Sequence, residues 1–135
     1  MIVWNDSLRL GVEEIDKQHE ELFERVNGFI SACEQGAKAP VVIRLMQYMQ
    51  SYVRDHFEQE EALQQRVGYT AFEEHSGFHD EFRARLEVLA EKVTTGEDED
   101  VIRHANEMAT LCENWLVGHV MNEDQQIAAF LKQSI

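Results

Sequence analysis

Pro40 is the only proline in this chain, and between widely spaced glycines the apolar residues recur every three or four positions. Proline removes a backbone donor and clashes with the preceding turn, so its near absence lets helices run long. Leu22, Phe23, Val26, Phe29, Ile30 and Cys33 share one helical face, on a helix that Asp16 can cap and Gly36 can stop. A second helix opens near Pro40, a favoured first-turn residue, and carries Val42, Leu45, Met46, Met49, Val53, His56, Phe57 and Glu60 towards Gly68. Thr70-Ala71-Phe72-Glu73 has the form of a capping box, and His75, Phe78, His79, Phe82, Leu86 and Leu89 predict a third helix up to Thr95-Gly96. The acidic run Glu97-Asp98-Glu99-Asp100 suits a helix N-terminus, where the macrodipole favours negative charge. Val101, Ile102, Ala105, Met108, Leu111, Cys112, Trp115, Leu116 and His119 follow on a fourth helix.

No stretch alternates like a sheet, and short connections favour antiparallel neighbours. The expected architecture is all-α: an up-down-up-down four-helix bundle with an N-terminal arm and a short C-terminal helix. One domain then spans residues 1–135. Residues 1–15 form the arm, with Trp4, Leu8, Leu10, Val12 and Ile15 laid over the bundle; 16–119 form the bundle. The C-terminal segment is 120–135, where Ile127, Phe130 and Leu131 pack back. A formal net charge of −14 opposes nucleic acid and acidic membranes, both of which call for Lys and Arg clusters. No apolar run reaches the roughly 20 residues of a membrane span. Met1 to Asp6 lack the basic and apolar segments of a signal peptide, so a cytoplasmic location is expected. Two cysteines make neither a disulfide framework nor a four-cysteine zinc site.

The histidines carry the chemistry. His75 and His79 are four apart, so both imidazoles leave one face of their helix, and His56 and Glu60 repeat that spacing on the helix before. Each pair lies on or beside an apolar stripe. An isolated inward histidine is usually a satisfied core residue, but four inward polar groups on adjacent helices each need partners. Antiparallel threading brings His19, near the start of the first helix, and His119, near the end of the fourth, to the same end of the bundle. Asp124 lies five residues beyond His119 and shares no face with it, so the helix must end or bend between them. His104 falls about four turns before His119 and reads as a surface or packing residue. Five imidazoles and two carboxylates exceed what one metal ion can use, and the donor set suits iron better than zinc or manganese.

These residues resemble the hemerythrin family, and within it the stand-alone bacterial members. The resemblance rests on Ile15-Asp16-Lys17-Gln18-His19, His56-Phe57-Glu58-Gln59-Glu60-Glu61, His75 with His79 and Phe82, and Trp115-Leu116-Val117-Gly118-His119 leading to Asp124, and it spans essentially the whole chain. Thr70 and Leu63 depart from residues frequent in the family, and neither is a candidate ligand. The resemblance implies a non-haem di-iron centre with an oxo or hydroxo bridge. His75, His79 and His119 would hold one iron and His19 and His56 the other, with Glu60 and Asp124 bridging. The two-histidine iron would keep one position open, where dioxygen binds reversibly for storage, delivery or sensing. Leu116 would line the dioxygen pocket, with Trp115 and Trp4 sealing its surroundings. The protein is then expected to be a carrier rather than an enzyme. Its rivals are a di-iron oxidase, peroxidase or ferroxidase, and a signalling module whose protein partner the sequence does not identify.

Overall fold

The computed structural model describes residues 2–133, the side chain of Asp98 excepted; the outermost residues of the expected domain, 1, 134 and 135, lie outside them. A single 3-10 turn, Asp6–Leu8, is followed by α1 (Glu13–Glu34), α2 (Ala39–Val67), α3 (Phe72–Thr95), α4 (Asp98–Met121) and α5 (Glu123–Gln133). No strand occurs among the described residues. Helix α1 packs on α2, α2 on α3, α3 on α4 and α4 back on α1, which closes the four-helix bundle. No helix among the described residues is long and apolar enough to cross a membrane.

The punctuation explains most of the boundaries. Pro40 sits in the first turn of α2, and Gly68 ends it at φ 70°, a left-handed conformation that costs glycine little. Two caps differ from expectation. Asp16 does not cap α1, which begins three residues earlier; its buried carboxylate accepts the backbone N–H of Leu10 at 2.6 Å and of Gly11 at 3.2 Å. It anchors the arm instead, satisfying two donors that the arm's burial would otherwise strand. Thr70 forms no capping box either: α3 starts at Phe72, and its N-cap Ala71 offers no side-chain hydrogen bond. Here Phe72 N–H reaches Tyr69 carbonyl in a tight turn, so the backbone uses a local partner before the side chain can.

The main core runs the length of the bundle, with Phe23, Phe29, Met46, Met49, Phe57, Phe82, Met108 and Leu116 fully buried. Cys33 and Cys112 are buried free thiols within it, and burial pushes the Cys112 thiol up to about 12. Both act as packing residues, since a thiol held protonated is a poor nucleophile. A smaller core of Leu10, Ile15, Leu63, Tyr69, Ile127 and Ala128 fastens the arm and α5 over one end. That end is where the candidate ligands gather.

Candidate metal centre

His19 comes from the start of α1, His56 and Glu60 from the end of α2, His75 and His79 from the start of α3, and His119 from the end of α4. Their meeting at one place requires each helix to run opposite to its neighbours. The expected break after His119 is present: α4 ends at Met121, Asn122 makes a turn at φ −109° and ψ −70°, and Asp124 enters in the first turn of α5. All seven side chains are buried, none more than 4 % exposed. His104 lies away from them, beside Glu107 of its own helix.

The side chains sort into two groups whose potential ligand atoms lie within 4.8 Å of one another: Glu60, His75, His79, His119 and Asp124 in one, His19, His56 and Glu60 in the other. The carboxylates divide oxygen by oxygen along the same line. Glu60 Oε1 is 2.8 Å from His75 Nε2 and 3.2 Å from His79 Nε2, whereas Oε2 is 3.1 Å from His19 Nε2 and 3.0 Å from His56 Nε2. Asp124 Oδ1 is 2.9 Å from His75 Nε2 and 3.0 Å from His119 Nε2, and Oδ2 is 3.3 Å from His19 Nε2. All five imidazoles thus present Nε2 to the interior.

Ordinary hydrogen bonding does not account for this convergence. Neither oxygen of the buried Asp124 meets a donor along a hydrogen-bond direction, despite its short distances to three imidazoles. His79 Nε2 and His119 Nε2 face each other at 2.9 Å. Two nitrogens held at about 2.1 Å and at right angles on one cation would lie about 3 Å apart. The donor set and spacing therefore fit metal ions better than a bare polar core.

The electrostatics agree. Burial disfavours protonation of His19, but Asp124 and Glu60 overcome it and raise the imidazole to about 10. The same opposition places His75 at about 9 and raises His79 through Glu60 and Glu61. At His56 burial prevails and the shift is downward, with the His19 charge adding to it. Burial alone would raise Glu60 and Asp124; the facing imidazoles hold both far below the usual carboxylate range. Without a cation the buried carboxylates are balanced by protons on neighbouring rings, and a metal ion would displace those protons.

Outside the ligand candidates, several side chains fix the rings, and sequence reasoning did not single them out for this. Phe57 stacks on His79 at 3.8 Å with an interplanar angle of 4°, and Trp115 stacks on His119 at 4.3 Å and 16°. Glu61 lies 3.6 Å from His79 Nδ1, accepts from Ser76 at 2.7 Å and pairs with Arg83 at 3.3 Å. Burial opposes its ionisation, but His79, Ser76 and Arg83 hold it at about 2. Glu123 is 3.4 Å from His119 Nδ1, and Gln18 is 3.1 Å from His56 Nδ1. Gln18, Glu61 and Glu123 each sit next in sequence to a ligand candidate, the one signal that could have found them. Leu116 is buried in the main core, whereas Trp115 is half-buried and packs between Phe82 and His119, on the three-histidine side. Trp4 lies at the other side, 6.1 Å from His19 and 5.5 Å from Phe23.

Comparison with known proteins gives a consistent result. The chain is 29 % identical to a bacteriohemerythrin of Pseudomonas aeruginosa over 91 % of its length and 76 % of the relative's. It is 28 % identical to one of Stenotrophomonas maltophilia, over 98 % of this chain and 86 % of that one. A bacteriohemerythrin of Clostridium acetobutylicum shares 26 % identity, over 93 % and 98 % respectively. Residues 10–131 match the hemerythrin HHE cation binding domain, and with that match over a buried cluster of histidines and carboxylates, the chain belongs to the hemerythrin family.

Proposed function

We propose that the protein holds two iron ions and binds dioxygen reversibly, for storage, delivery or sensing. The observation that carries this reading is the oxygen-by-oxygen division of Glu60 and Asp124 between two sets of histidines. His75, His79 and His119 would hold one ion, His19 and His56 the other, and both carboxylates would bridge. The first set then offers three nitrogens and two oxygens, and the second two nitrogens and two oxygens. That difference of one donor leaves the His19–His56 side the more open to an exogenous ligand. When bound, paired ferrous ions supply the electrons that let dioxygen attach and leave without net consumption.

The protein's own part is to hold donors and keep water out. Nitrogen-rich donor sets suit iron, and two carboxylates are fewer than the four that oxygen-activating di-iron bundles use. Binding is therefore favoured over catalysis. Buried Leu116, one turn before His119 on α4, is proposed to wall the dioxygen pocket, and Trp115 to seal the His119 side. A dry site slows proton-assisted oxidation.

Stopped-flow mixing of the iron-filled, reduced protein with air is expected to give an absorption band that disappears again under argon, through repeated cycles. Single-pass conversion to ferric iron, with no recovery under argon, would instead place the protein among the oxidases. Leu116→Ala should retain iron and oxidise irreversibly several-fold faster than the parent, followed by the decay of the same band. An unchanged rate would remove Leu116 from the pocket.

A further inference from the structure

We infer that Gln18 is a positioning residue for His56, setting through a chain of amide hydrogen bonds which nitrogen of that ring faces the metal centre. The inference rests on the di-iron reading and concerns how one half of the site is built. Gln18 Nε2 donates to Gln59 Oε1, linking α1 to α2. With the two amides in this orientation, Gln18 Oε1 faces His56 Nδ1 at 3.1 Å. An amide oxygen can only accept, so Nδ1 must carry the proton. His56 Nε2 is then left with its lone pair, and it is the atom directed at Glu60 and the centre. The opposite amide polarity would put a proton on Nε2 and block it as a ligand.

The other rings have different supports. His79 lies flat against Phe57 and His119 flat against Trp115, so packing fixes their planes. His56 has no parallel-stacked neighbour among the described residues: Phe57 is tilted by 51° at 6.0 Å, and His19 meets it edge-on. A cavity of about 320 Å³, bounded by Gln18, Glu21, Tyr52, Asp55 and Gln59, also borders the His56 ring. Water entering from that cavity can offer Nδ1 either a donor or an acceptor and would not select a tautomer. Gln18 supplies the selection. It does so with a neutral group, whereas carboxylates lie nearest the outer nitrogens of His79 and His119. Gln18 is half-buried on α1, so its substitution should not open the core.

The test uses the full chain filled with ferrous iron under argon, with iron per chain measured by competition against a chelator. Gln18→Leu should lose about 10–100-fold in affinity for one ion of the two while holding the other as the parent does. Gln18→Glu keeps an oxygen acceptor and should restore most of the loss. In zinc-filled, nitrogen-15-labelled protein, the His56 Nδ1 proton should exchange slowly with solvent in the parent and faster in Gln18→Leu. Unchanged affinity for both ions in Gln18→Leu, equal loss of both, or failure of Gln18→Glu to rescue would each overturn the inference. A parent protein that binds fewer than two ions would overturn the di-iron reading itself, which keeps the two failures distinct.

Discussion

Glu60→Ala should leave the protein with almost no bound iron after reconstitution and desalting, where the parent, on the di-iron proposal, should retain two ions per chain. Glu60 is the one side chain common to both ligand groups, and its two oxygens touch four of the five imidazoles. Loss of an outer partner of a metal ligand costs about 10–100-fold in affinity, and loss of a shared inner ligand must exceed that at both ions. The metal-free protein should suffer as well. Glu60 is wholly buried, and its removal strands imidazoles that its charge keeps protonated. Breaking a buried ion pair from one side costs about 3–5 kcal/mol, which urea unfolding of the metal-free forms would register. Glu60→Gln retains the volume and one acceptor oxygen, so it should recover part of the stability but little of the iron. Retention of two irons by Glu60→Ala would exclude Glu60 as a bridging ligand.

The second large effect is expected at Phe57, where stability and metal retention meet in one ring. Phe57 is 1 % exposed and lies within 6.3 Å, centroid to centroid, of His56, His79, Phe82, Trp115 and His119. The Arg83 guanidinium covers it at 5.3 Å, while the same arginine holds Glu61 beside His79. Truncation of a buried phenylalanine costs about 3–5 kcal/mol, through lost transfer energy and the cavity left behind. Phe57→Ala also frees the face of His79, so iron should pass to a chelator faster even under conditions where the variant is folded. Phe57→Leu separates the two roles, because it returns most of the volume without the flat contact. Its unfolding midpoint should approach the parent's while its iron release stays fast. Equal iron release in Phe57→Leu and the parent would show that stacking on His79 contributes nothing beyond packing.

The sequence made the bundle and the ligand candidates legible for one physical reason: both depend on periodicity. Residues four apart on an α-helix share a face whatever surrounds them, so His56 with Glu60 and His75 with His79 declare themselves without coordinates. The position of Asp124 was legible as a misfit, since a spacing of five from His119 demands the helix break that Asn122 makes. Caps were less legible, because a capping side chain competes with every other partner it can reach. Asp16 has the right chemistry for a cap, but burial beneath the arm gives it two backbone donors to satisfy instead. The supports of the rings were hidden for a similar reason. Phe57 reads as core and Gln18 only as the neighbour of His19, and the packing of α2 against α1 and α3 shows that both bear on imidazoles.

Asp124 reaches the centre on a helix of 11 residues, shorter than an isolated helix needs to persist in water. What holds α5 in place is its patch of apolar contacts with the arm and α2, together with whatever its aspartate binds. Ion binding and the seating of the C-terminal helix are therefore thermodynamically linked: any cation that engages Asp124 stabilises the docked form by mass action. The opposite terminus is included, because Gln125 Nε2 donates to the Leu8 carbonyl at 2.9 Å and Leu10 packs in the same patch. A filled site would thus tighten both the arm and α5, and occupancy beneath that end of the bundle would become something the outside of the molecule can report.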